Sequence, residues 1–488
     1  MDKILHCLIF QSAYNKGDLI GETEAYKMSN TEKSRGTAAV NQITEGVIWK
    51  QLLLFFFPIL FGTFFQQLYN TIDAVIVGRY VGKEALSAVG GITGTLINLL
   101  VGFFVGLSSG ATVIISQYYG ARKPKQVSIA VHTSLSFCVA GGLVLMLLGI
   151  SLAPAALRAT GTPEEIVPHA VLYMRIYFAG IIGNLIYNIG SGILRAVGDS
   201  KRPLYFLIVS CFVNIFLDLL FVVVFHMGVA GAAWATILSQ LVSALMVIYV
   251  LTHTREPYRL MFRSLRMNFP MLKRIIQIGF PAGLQSVMYS VSNVVIQAGV
   301  NTLGTDTVAA WTAYGKIDGL FWMTINAFGI SITTFVGQNF GARKPDRVRK
   351  GIRTCLGMAF AASALLSIVI YSTGGIILRL FTTDIAVWEI GVDIIHFLVP
   401  TFCTYVCVEI LSGALRGTGD CWIPMALTCI GICVLRVIWV SFIAPIRPDI
   451  FTVSFCYPLT WTITSILFIL YYRLFSHLKK SRPQTDAA

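Results

Sequence analysis

The stretch SQYYGARKPKQV at residues 116–127 returns as GQNFGARKPDRV at residues 337–348. A second pair of stretches, GILRAVGDSKRP at 192–203 and GALRGTGDCWIP at 413–424, is separated by the same interval. Two matches at one spacing indicate an internal duplication. Pro58 and Pro281, at nearly the same spacing, mark corresponding points near the start of each copy. The sequence therefore predicts two homologous halves.

The composition is that of a membrane protein. Of the 488 residues, 56% are hydrophobic and 12% are charged, and the mean hydropathy is +0.73. A soluble domain carries about 25% charged residues, so most of this surface cannot face water. Apolar runs long enough to cross a lipid bilayer as helices recur along the chain, whereas the alternating strands of a membrane β-barrel are absent. We predict an all-α integral membrane protein.

The apolar segments predict twelve transmembrane helices in two pseudo-symmetric lobes of six. Their expected positions are 50–77, 86–117, 127–152, 165–197, 201–226, 230–252, 272–300, 306–338, 348–374, 386–418, 421–445 and 451–474. The predicted division is a disordered cytoplasmic tail (1–45), an N-lobe (46–254), a basic cytoplasmic linker (255–271), a C-lobe (272–475) and a cytoplasmic tail (476–488). Met28 is a second candidate for the translation start beside Met1.

The basic residues predict the orientation in the membrane. Loops after even-numbered helices hold most of the Lys and Arg, whereas loops after odd-numbered helices hold only Arg79, Lys83, Arg158, Arg379 and Arg447. The positive-inside rule then puts the even loops and both termini in the cytoplasm, with the chain in the cell (inner) membrane. Six helices per half keep both halves in the same orientation, so the repeat is parallel, with its pseudo-twofold axis along the membrane normal.

The GARKP motifs therefore follow helices 2 and 8 at the cytoplasmic face. We expect Gly120 and Gly341 to end those helices in the left-handed conformation, and Pro124 and Pro345 to begin the next ones. The basic residues between them suit an anionic lipid surface. The motif is a twice-used hairpin by this interpretation, with gating contacts as the alternative.

The linker between the halves is strongly basic. Arg259, Arg263 and Arg266 recur at spacings of four and three residues, with Leu260 and Leu265 nearby. This pattern predicts an amphipathic helix lying on the lipid surface.

Sequence signatures of enzymes are missing. No HExxH, GxSxG or paired CxxC motif occurs, and GRYVGKEA at 78–85 lacks the spacing of a phosphate-binding loop. The net charge of +14 lies in short loops between apolar runs rather than in a nucleic-acid-binding surface. The scattered cysteines are expected to be free thiols. We predict no enzyme, no cofactor and no nucleic-acid partner.

Polar residues inside the first six helices are candidates for function, because they are costly in a membrane. Asp73 and Gln66 share one face of helix 1, and Asn214 and Asp218 lie one turn apart on helix 5. Helices 4 and 6 add further oxygen ligands at Asn184, Asn188, Ser191 and Thr236. This set suits either a Na⁺ ion or a proton carried on a carboxylate. The alternatives are helix bridging by the amides and pairing of an aspartate with Arg175.

The second half is not a chemical copy of the first. Glu409 stands at the position that corresponds to Asn188, as a lone carboxylate in helix 10. Either it pairs with Lys316 or Arg436, or it lines a substrate path, for which Tyr69 and Asn184 are further candidates. Gly102, Gly106 and Gly110 form a GxxxGxxxG face on helix 2, which predicts close helix packing.

Together these features resemble the multidrug and toxic compound extrusion (MATE) family. The resemblance rests on Pro58, on QLYNTIDAVIVGRYVG at 67–82 and on the two repeated motifs, and it covers residues 45–475. The chain resembles the bacterial DinF-like branch more than the NorM-like one. Tyr289 and Tyr405 occupy positions where NorM-like members have acidic residues. The residues that match the DinF-like cation positions are Gln66, Asp73, Asn188, Asn214, Asp218 and Thr236, and Ser191 stands at a further such position where that branch often has Asn.

The resemblance implies a V-shaped antiporter that exports amphipathic, mainly cationic drugs or toxic compounds in exchange for Na⁺ or H⁺. The rival interpretation is a flippase for lipids or lipid-linked oligosaccharides, which would favour a more cationic cavity, whereas the cavity candidates here lean acidic or neutral. A membrane enzyme would need clustered catalytic residues, and two unequal halves favour a carrier over a channel. Because one chain supplies both halves, we expect a monomer in the bilayer.

Overall fold

The computed structural model describes residues 42–474, which form long helices joined by short loops. The first lobe contains α1 (Ile48–Tyr80), α2 (Ile92–Gly120), α3 (Pro124–Ala159), α4 (Val167–Ala179 with Ile181–Ala196), α5 (Lys201–Val224) and α6 (Gly228–His253). The second contains α7 (Phe269–Asn301), α8 (Thr305–Gly341), α9 (Pro345–Leu378), α10 (Ile385–Thr418), α11 (Trp422–Ile446) and α12 (Ile450–Leu474). A short helix, Lys83–Gly90, precedes α2.

These helices form a multi-span membrane protein. Within residues 42–474, ten helices are long and apolar enough to cross a membrane, and α4 makes eleven if its two segments, bent by 50°, count as one span. The remaining helix, α7, has 33 residues but carries polar side chains such as Gln285 and Asn293 that line an internal cavity. The predicted twelve-helix architecture in two lobes is confirmed.

Several helices depart from regular α geometry near their polar residues. Immediately after Asp218, α5 continues as a π-helix over Leu219–Val224. Two π-helical segments, Cys429–Val434 and Trp439–Ile443, enclose Arg436 in α11. Such π segments occur frequently at functional sites.

Each lobe has its own hydrophobic core, but the first helix of each lobe begins in the core of the other. Leu52 and Phe55 of α1 are buried in the C-lobe core, and Phe56 stacks on Phe328 with ring centroids 4.1 Å apart. Met271 and Ile275 of α7 are buried in the N-lobe core. The prolines inside these two helices, Pro58 and Pro281, follow these crossing segments.

The small-residue face of α2 packs closely against another helix, as predicted, and the structure shows that this helix is α7. A Cβ atom on Gly106 would lie 2.6 Å from the Gly283 backbone, and one on Gly110 would lie 2.2 Å from the Ile275 carbonyl oxygen. These distances are shorter than real Cβ contacts, so the two helices touch along their backbones. The lobes are therefore held together by α2 and α7.

The prediction that Gly120 and Gly341 adopt a left-handed conformation is wrong. The positive φ angles fall two residues later, at Arg122 (53°) and Arg343 (56°). The glycines remain in the helices, and the reason for glycine there is a close approach between lobes. A Cβ atom on Gly120 would lie 2.0 Å from the Gln338 carbonyl oxygen, and one on Gly341 would lie 2.0 Å from the Gln117 carbonyl oxygen. Pro124 and Pro345 begin α3 and α9, as predicted.

The prediction of an amphipathic helix in the basic linker is also wrong. Between α6 and α7 the chain forms only a three-residue 3₁₀ helix, Phe262–Ser264. The linker instead pairs with α3: the Met261 amide donates to His132 Nε2 at 3.1 Å, and the Asn268 amide donates to Thr133 Oγ1 at 3.3 Å. These two side chains hold the linker against α3, so it does not form a separate amphipathic helix.

The cysteines of the described chain are free thiols, as expected. They are Cys138, Cys211, Cys355, Cys403, Cys407, Cys421, Cys429, Cys433 and Cys456, and all but Cys403 and Cys407 are buried. Cys7 lies outside the described residues.

Candidate functional site

A cavity of about 800 Å³ lies between the two lobes. Its wall includes Asn188 and Arg195 of the N-lobe, but the C-lobe supplies most of its charged and aromatic side chains. The aromatic residues of the C-lobe wall are Tyr289, Trp311, Tyr314, Trp322, Tyr405, Tyr457 and Trp461. This mixture of aromatic surface and a few charges suits amphipathic organic molecules.

The charged residues around this cavity include one more arginine than carboxylates. Two carboxylates, Asp318 and Glu409, face three guanidinium groups, those of Arg195, Arg416 and Arg436. Arg195 and Arg416 are the arginines of the second repeated motif. The expectation that the cavity candidates lean acidic or neutral is wrong, because sequence inspection did not place these arginines on the cavity wall.

Glu409 lines the cavity, and its ion-pair partner differs from both predicted ones. Its Oε1 lies 3.6 Å from Arg416 Nη2, two helical turns along α10, and Tyr405 donates a hydrogen bond to its Oε2 at 3.3 Å. Lys316 is exposed on another side of α8 and forms no such pair. Pairing of Glu409 with Lys316 or Arg436 is therefore ruled out in this conformation.

Tyr289 and Tyr405 come together beside Glu409. Their hydroxyl oxygens are 3.1 Å apart, which links α7 to α10. This contact is a neutral hydrogen-bonded pair. Glu409 is the acidic group that remains nearby.

Asp318 is a site residue that the sequence analysis missed. Its carboxylate accepts hydrogen bonds from Trp322 Nε1 at 2.7 Å and from the Tyr314 hydroxyl at 3.4 Å. An acidic residue more than three turns inside helix 8, beyond Asp306 at its start, was a signal that could have identified it.

Arg436 is the most deeply buried of the cavity arginines, with 2% of its surface exposed. Its Nε donates to Thr460 Oγ1 at 3.3 Å, and its guanidinium lies over the Tyr457 ring, 4.2 Å from the centroid. Its Nη2 is buried without a hydrogen-bond partner among the described residues. The guanidinium is thus positioned by two neighbours but only partly satisfied.

The predicted acidic residues Asp73 and Asp218 lie together inside the N-lobe, apart from the central cavity. Asp73 and Asp218 are buried, with 6% and 0% of their surfaces exposed, and their carboxylates are close enough to interact electrostatically. Asp73 Oδ1, both carboxylate oxygens of Asp218 and both polar atoms of the Asn214 amide are buried without hydrogen-bond partners in the described structure. Oxygens arranged in this way could hold a small cation or a proton.

Among the described residues, no arginine neutralises this pair. The ion pairs of this part of the chain do not include Asp73 or Asp218, and Arg175, the sequence candidate, is exposed. Structural pairing with Arg175 is therefore wrong. No group of three or more His, Cys, Asp or Glu residues within residues 42–474 could bind a metal ion.

Other predicted N-lobe residues surround the pair to different degrees. Thr236 donates to the Ala232 carbonyl at 2.9 Å and interacts with Tyr173, which itself interacts with Asp73. Tyr69 is buried beside Gln240, whereas Gln66 is exposed next to Tyr69. Tyr173 and Gln240 were missed by the sequence analysis, because tyrosine and glutamine give no distinctive spacing.

Asn188 connects the predicted N-lobe set to the central cavity. It lines the cavity, and its Nδ2 donates to the Asn184 carbonyl at 2.9 Å and to Asn184 Oδ1 at 3.0 Å. Ser191, one turn further along α4, is buried near Tyr187. The other predicted N-lobe residues, Tyr69 and Asn184 included, do not line this cavity.

Comparison with known proteins assigns the family. The MatE family model matches the chain twice, over residues 58–220 and 281–441, one copy in each half. The chain belongs to the MATE family. It is 27% identical over 91% of its length to the probable multidrug resistance protein YoeA of Bacillus subtilis, of which 97% is covered. It is 30% identical over 80% of its length to the probable multidrug resistance protein YpnP of the same organism, with 88% covered.

A solved structure agrees with the MATE fold. A transporter of the MOP superfamily from Pyrococcus furiosus superposes with a TM-score of 0.84 at 25% identity, over 91% of this chain and 99% of that one. The binding pocket of that protein is reported to have reverse polarity, which suggests that its function differs. The relatives are transporters rather than enzymes.

In this MATE chain the cavity is closed at one end, which we call the basic end because it carries the two GARKP motifs. The cavity wall stops at Val113 on α2 and Thr334 on α8. Beyond it, Gln117 Nε2 donates to the Gly417 carbonyl at 2.9 Å, and Gln338 Nε2 donates to the Ala196 carbonyl at 2.7 Å. Both hydrogen bonds join one lobe to the other.

Residues 43–46, which we call the strap, cover this closed end. Arg347 donates from Nη1 to the Gly46 carbonyl and from Nη2 to the Glu45 carbonyl, each at 2.8 Å. Lys344 Nζ donates to the Thr44 carbonyl at 2.9 Å. On the N-lobe side, Ile43 packs against Gly198. The strap thus bridges both lobes of the MATE fold at the basic end.

Proposed function

We propose that this MATE family protein is a secondary active antiporter that exports amphipathic organic compounds in exchange for Na⁺ or H⁺. The observation that carries the proposal is the pair Asp73 and Asp218, buried without a basic partner in one lobe and separate from the cavity between the lobes. An uncompensated acidic pair in a membrane needs a cation. Both B. subtilis relatives are named as probable multidrug resistance proteins, which supports export as the activity.

The coupling ion binds at this pair. Asp73, Asp218 and Asn214 supply the oxygens of the site, and Gln66, Asn188, Ser191 and Thr236 are the surrounding candidates. Na⁺ would use several of these oxygens at once, whereas a proton needs a single carboxylate. The membrane potential drives a cation inward with about 2.3 kcal/mol per charge for each 100 mV. No other cofactor is required.

The basic end is cytoplasmic by the positive-inside rule. Both termini then lie in the cytoplasm of a cell that carries the protein in its inner membrane. The closed basic end makes this conformation outward-facing, and rocking of the lobes opens the other side in turn. Since one chain contains both lobes, a monomer is sufficient for the transport cycle.

The substrate occupies the central cavity. Its aromatic wall accommodates the apolar part of an amphipathic molecule, and Asp318 and Glu409 face any cationic group. Drugs and toxic organic cations are the substrates that the family resemblance implies. The acidic site and the cavity communicate through α4, where Asn188 lines the cavity and Ser191 lies one turn away.

A second candidate function is flipping of lipids or lipid-linked oligosaccharides. It is favoured by the three arginines on the cavity wall, since an anionic head group needs positive charge. The P. furiosus transporter, with its reversed pocket polarity, sets a precedent for altered function within this fold.

Efflux from proteoliposomes tests the proposed function. Purified protein is reconstituted, loaded with the ethyl ester of rhodamine B, a cationic amphipathic dye, and exposed to a Na⁺ gradient or a pH gradient separately. We expect dye movement under one gradient, its loss in Asp73→Asn, and normal movement in the control Asp306→Asn, which replaces an exposed aspartate at the start of α8. Dye movement that needs no gradient, or that survives Asp73→Asn unchanged, contradicts the proposal. Lipid scrambling without dye movement supports the flippase.

A further inference from the structure

Arg436 lies deep in the membrane-spanning part of the C-lobe. Along α11, about 21 Å of helix separates it from the start at Trp422 and about 15 Å from the end at Ile446. A charged side chain at this depth is costly, and such residues usually face partners, cavities or transport paths. Arg436 faces the central cavity.

The contacts of Arg436 hold its position but leave its charge without an anion. Thr460 accepts from Nε and is neutral, and the Tyr457 ring supports the guanidinium by a cation–π contact. Nη2 is buried without a partner, and the ion pairs found between residues 42 and 474 do not include Arg436. The guanidinium therefore lies at the cavity wall with a donor that no described residue uses.

The carboxylates that share the cavity already have other partners. Glu409 pairs with Arg416 and accepts from Tyr405. Asp318 interacts electrostatically with Arg436, but its oxygens accept hydrogen bonds from Trp322 and Tyr314. Neither carboxylate forms an ion pair with the guanidinium, so neither occupies its free donors, and the guanidinium borders the cavity as part of its wall.

We propose that Arg436 is an anion-binding subsite of the central cavity, which takes the carboxylate or another oxyanion of an amphipathic compound. A guanidinium binds such groups through charge-assisted hydrogen bonds, which are about twice as strong as neutral ones. Trp461, whose ring centroid lies 6.0 Å from the guanidinium, and Tyr457 supply aromatic surface for the apolar body next to that group. The subsite rests on one part of the proposed function, which is that substrates bind in the central cavity.

The subsite changes the expected substrate class. A simple organic cation would meet Arg436 as a like charge, whereas a molecule with both a cationic group and a carboxylate could place the first near Asp318 and the second on Arg436. Substrates that carry a carboxylate are therefore favoured over their uncharged esters, although esterification makes them more apolar.

Two dyes that differ in one group test this inference. Rhodamine B carries a carboxylate that its ethyl ester lacks, and both have the same xanthylium ring. Binding of each dye to the full chain in phosphatidylcholine nanodiscs is followed by fluorescence anisotropy, with empty nanodiscs subtracted. The variants are Arg436→Gln, Arg436→Lys and the control Arg379→Gln. Arg379 also stacks on an aromatic ring, Trp388 at 5.0 Å, but lies outside the cavity wall.

We expect wild type to prefer rhodamine B, and Arg436→Gln to weaken rhodamine B binding roughly tenfold, the effect of losing one charged hydrogen bond. Binding of the ester should be unchanged, Arg436→Lys should recover part of the loss, and Arg379→Gln should match wild type. If Arg436→Gln weakens the binding of both dyes equally, Arg436 contributes by packing and does not bind the carboxylate. If Arg436→Gln does not fold, the wild-type preference still decides: no preference for the carboxylate overturns the subsite.

Two further measurements distinguish the Arg436 subsite from binding of a lipid phosphate and from the proposed antiport. Adding phosphatidylglycerol to the nanodiscs tests a lipid phosphate as the occupant, which would compete with rhodamine B in wild type but not in Arg436→Gln. Ion-driven transport of the ester is independent of the subsite, so the proposed antiport can stand while the subsite fails. Conversely, Arg436-dependent binding without any ion-driven transport supports the subsite and contradicts the antiport.

Discussion

Gln117 and Gln338 are equivalent residues of the two halves, and they make equivalent hydrogen bonds across the basic end. They occupy the same position in the two copies of the first motif. The carbonyl groups that accept from them, those of Ala196 and Gly417, occupy the same position in the two copies of the second motif. The two duplicated motifs of the sequence thus meet in one closed gate with pseudo-twofold symmetry.

Replacing either glutamine should weaken this gate by a similar amount. Gln117→Ala and Gln338→Ala each remove one hydrogen bond between the lobes, worth about 1 kcal/mol, or roughly a fivefold shift toward the open form. Faster hydrogen exchange at residues 116–120 and 337–341 would report the change. Gln297→Ala is the control, since within the described chain the Gln297 side chain bonds to Asn301 of its own helix rather than to the opposite lobe. Unequal effects of the two variants would contradict the symmetry of the gate.

Adding a methyl group to the gate glycines should prevent closure. In Gly120→Ala and Gly341→Ala the new Cβ atom would lie 2.0 Å from a carbonyl oxygen of the opposite lobe. Because backbone must move to relieve this overlap, we expect a cost of about 1–3 kcal/mol to the closed form and a loss of dye transport. Gly357→Ala in α9 has open space around it and should transport normally. Unimpaired transport in both gate variants would show that this contact is dispensable.

The pair formed by Glu409 and Arg416 should show energetic coupling. Arg416→Gln leaves a partly buried carboxylate without its partner, so we expect a lower melting temperature than for wild type. The double variant Glu409→Gln with Arg416→Gln should regain part of the loss, with a coupling energy of roughly 0.5–3 kcal/mol. Thermal unfolding of the two single variants and the double variant gives this number. Additive effects would mean that the 3.6 Å contact contributes no coupling.

The strap should depend on Arg347. The first copy of the motif has Gln126 at the corresponding position, so Arg347→Gln makes the two copies alike. The variant loses hydrogen bonds to the carbonyls of Glu45 and Gly46, and we expect faster proteolysis of the chain before α1. Lys350→Gln, one turn away and exposed, is the matched control. If Arg347→Gln is cleaved no faster than this control, the strap is held by other contacts.

The sequence predicted the fold more completely than it predicted the functional site. Duplication, helix count and the packing of Gly106 and Gly110 could all be read from repeats and spacing, because these depend on local pattern. The partner of Glu409 could not: Arg416 lies on the same helix, but the rotamers that join them are set by packing across the cavity. Lys316 looked equally suitable from its charge and faces elsewhere.

The errors at Gly120 and Gly341 have the same origin. A glycine at a helix end is a common signal for a left-handed cap, yet here the opposite lobe requires it, and nothing within one half of the sequence shows where the other half lies. The prediction of a helix in the linker is wrong for a related reason. His132 and Thr133 of α3 accept hydrogen bonds from the linker, and their position is not visible in the linker's own sequence.

The exchange of first helices between the two cores has an evolutionary meaning. Leu52 in the C-lobe core and Ile275 in the N-lobe core are separated by the same interval as Pro58 and Pro281. A half-length ancestor with this packing would have been a domain-swapped homodimer, in which each subunit lent the start of its first helix to its neighbour. Fusion of two such genes would make the swap intramolecular and would free the halves to diverge, as their chemistry shows: the N-lobe holds Asp73 and Asp218, whereas two of the three cavity arginines, Arg416 and Arg436, belong to the C-lobe.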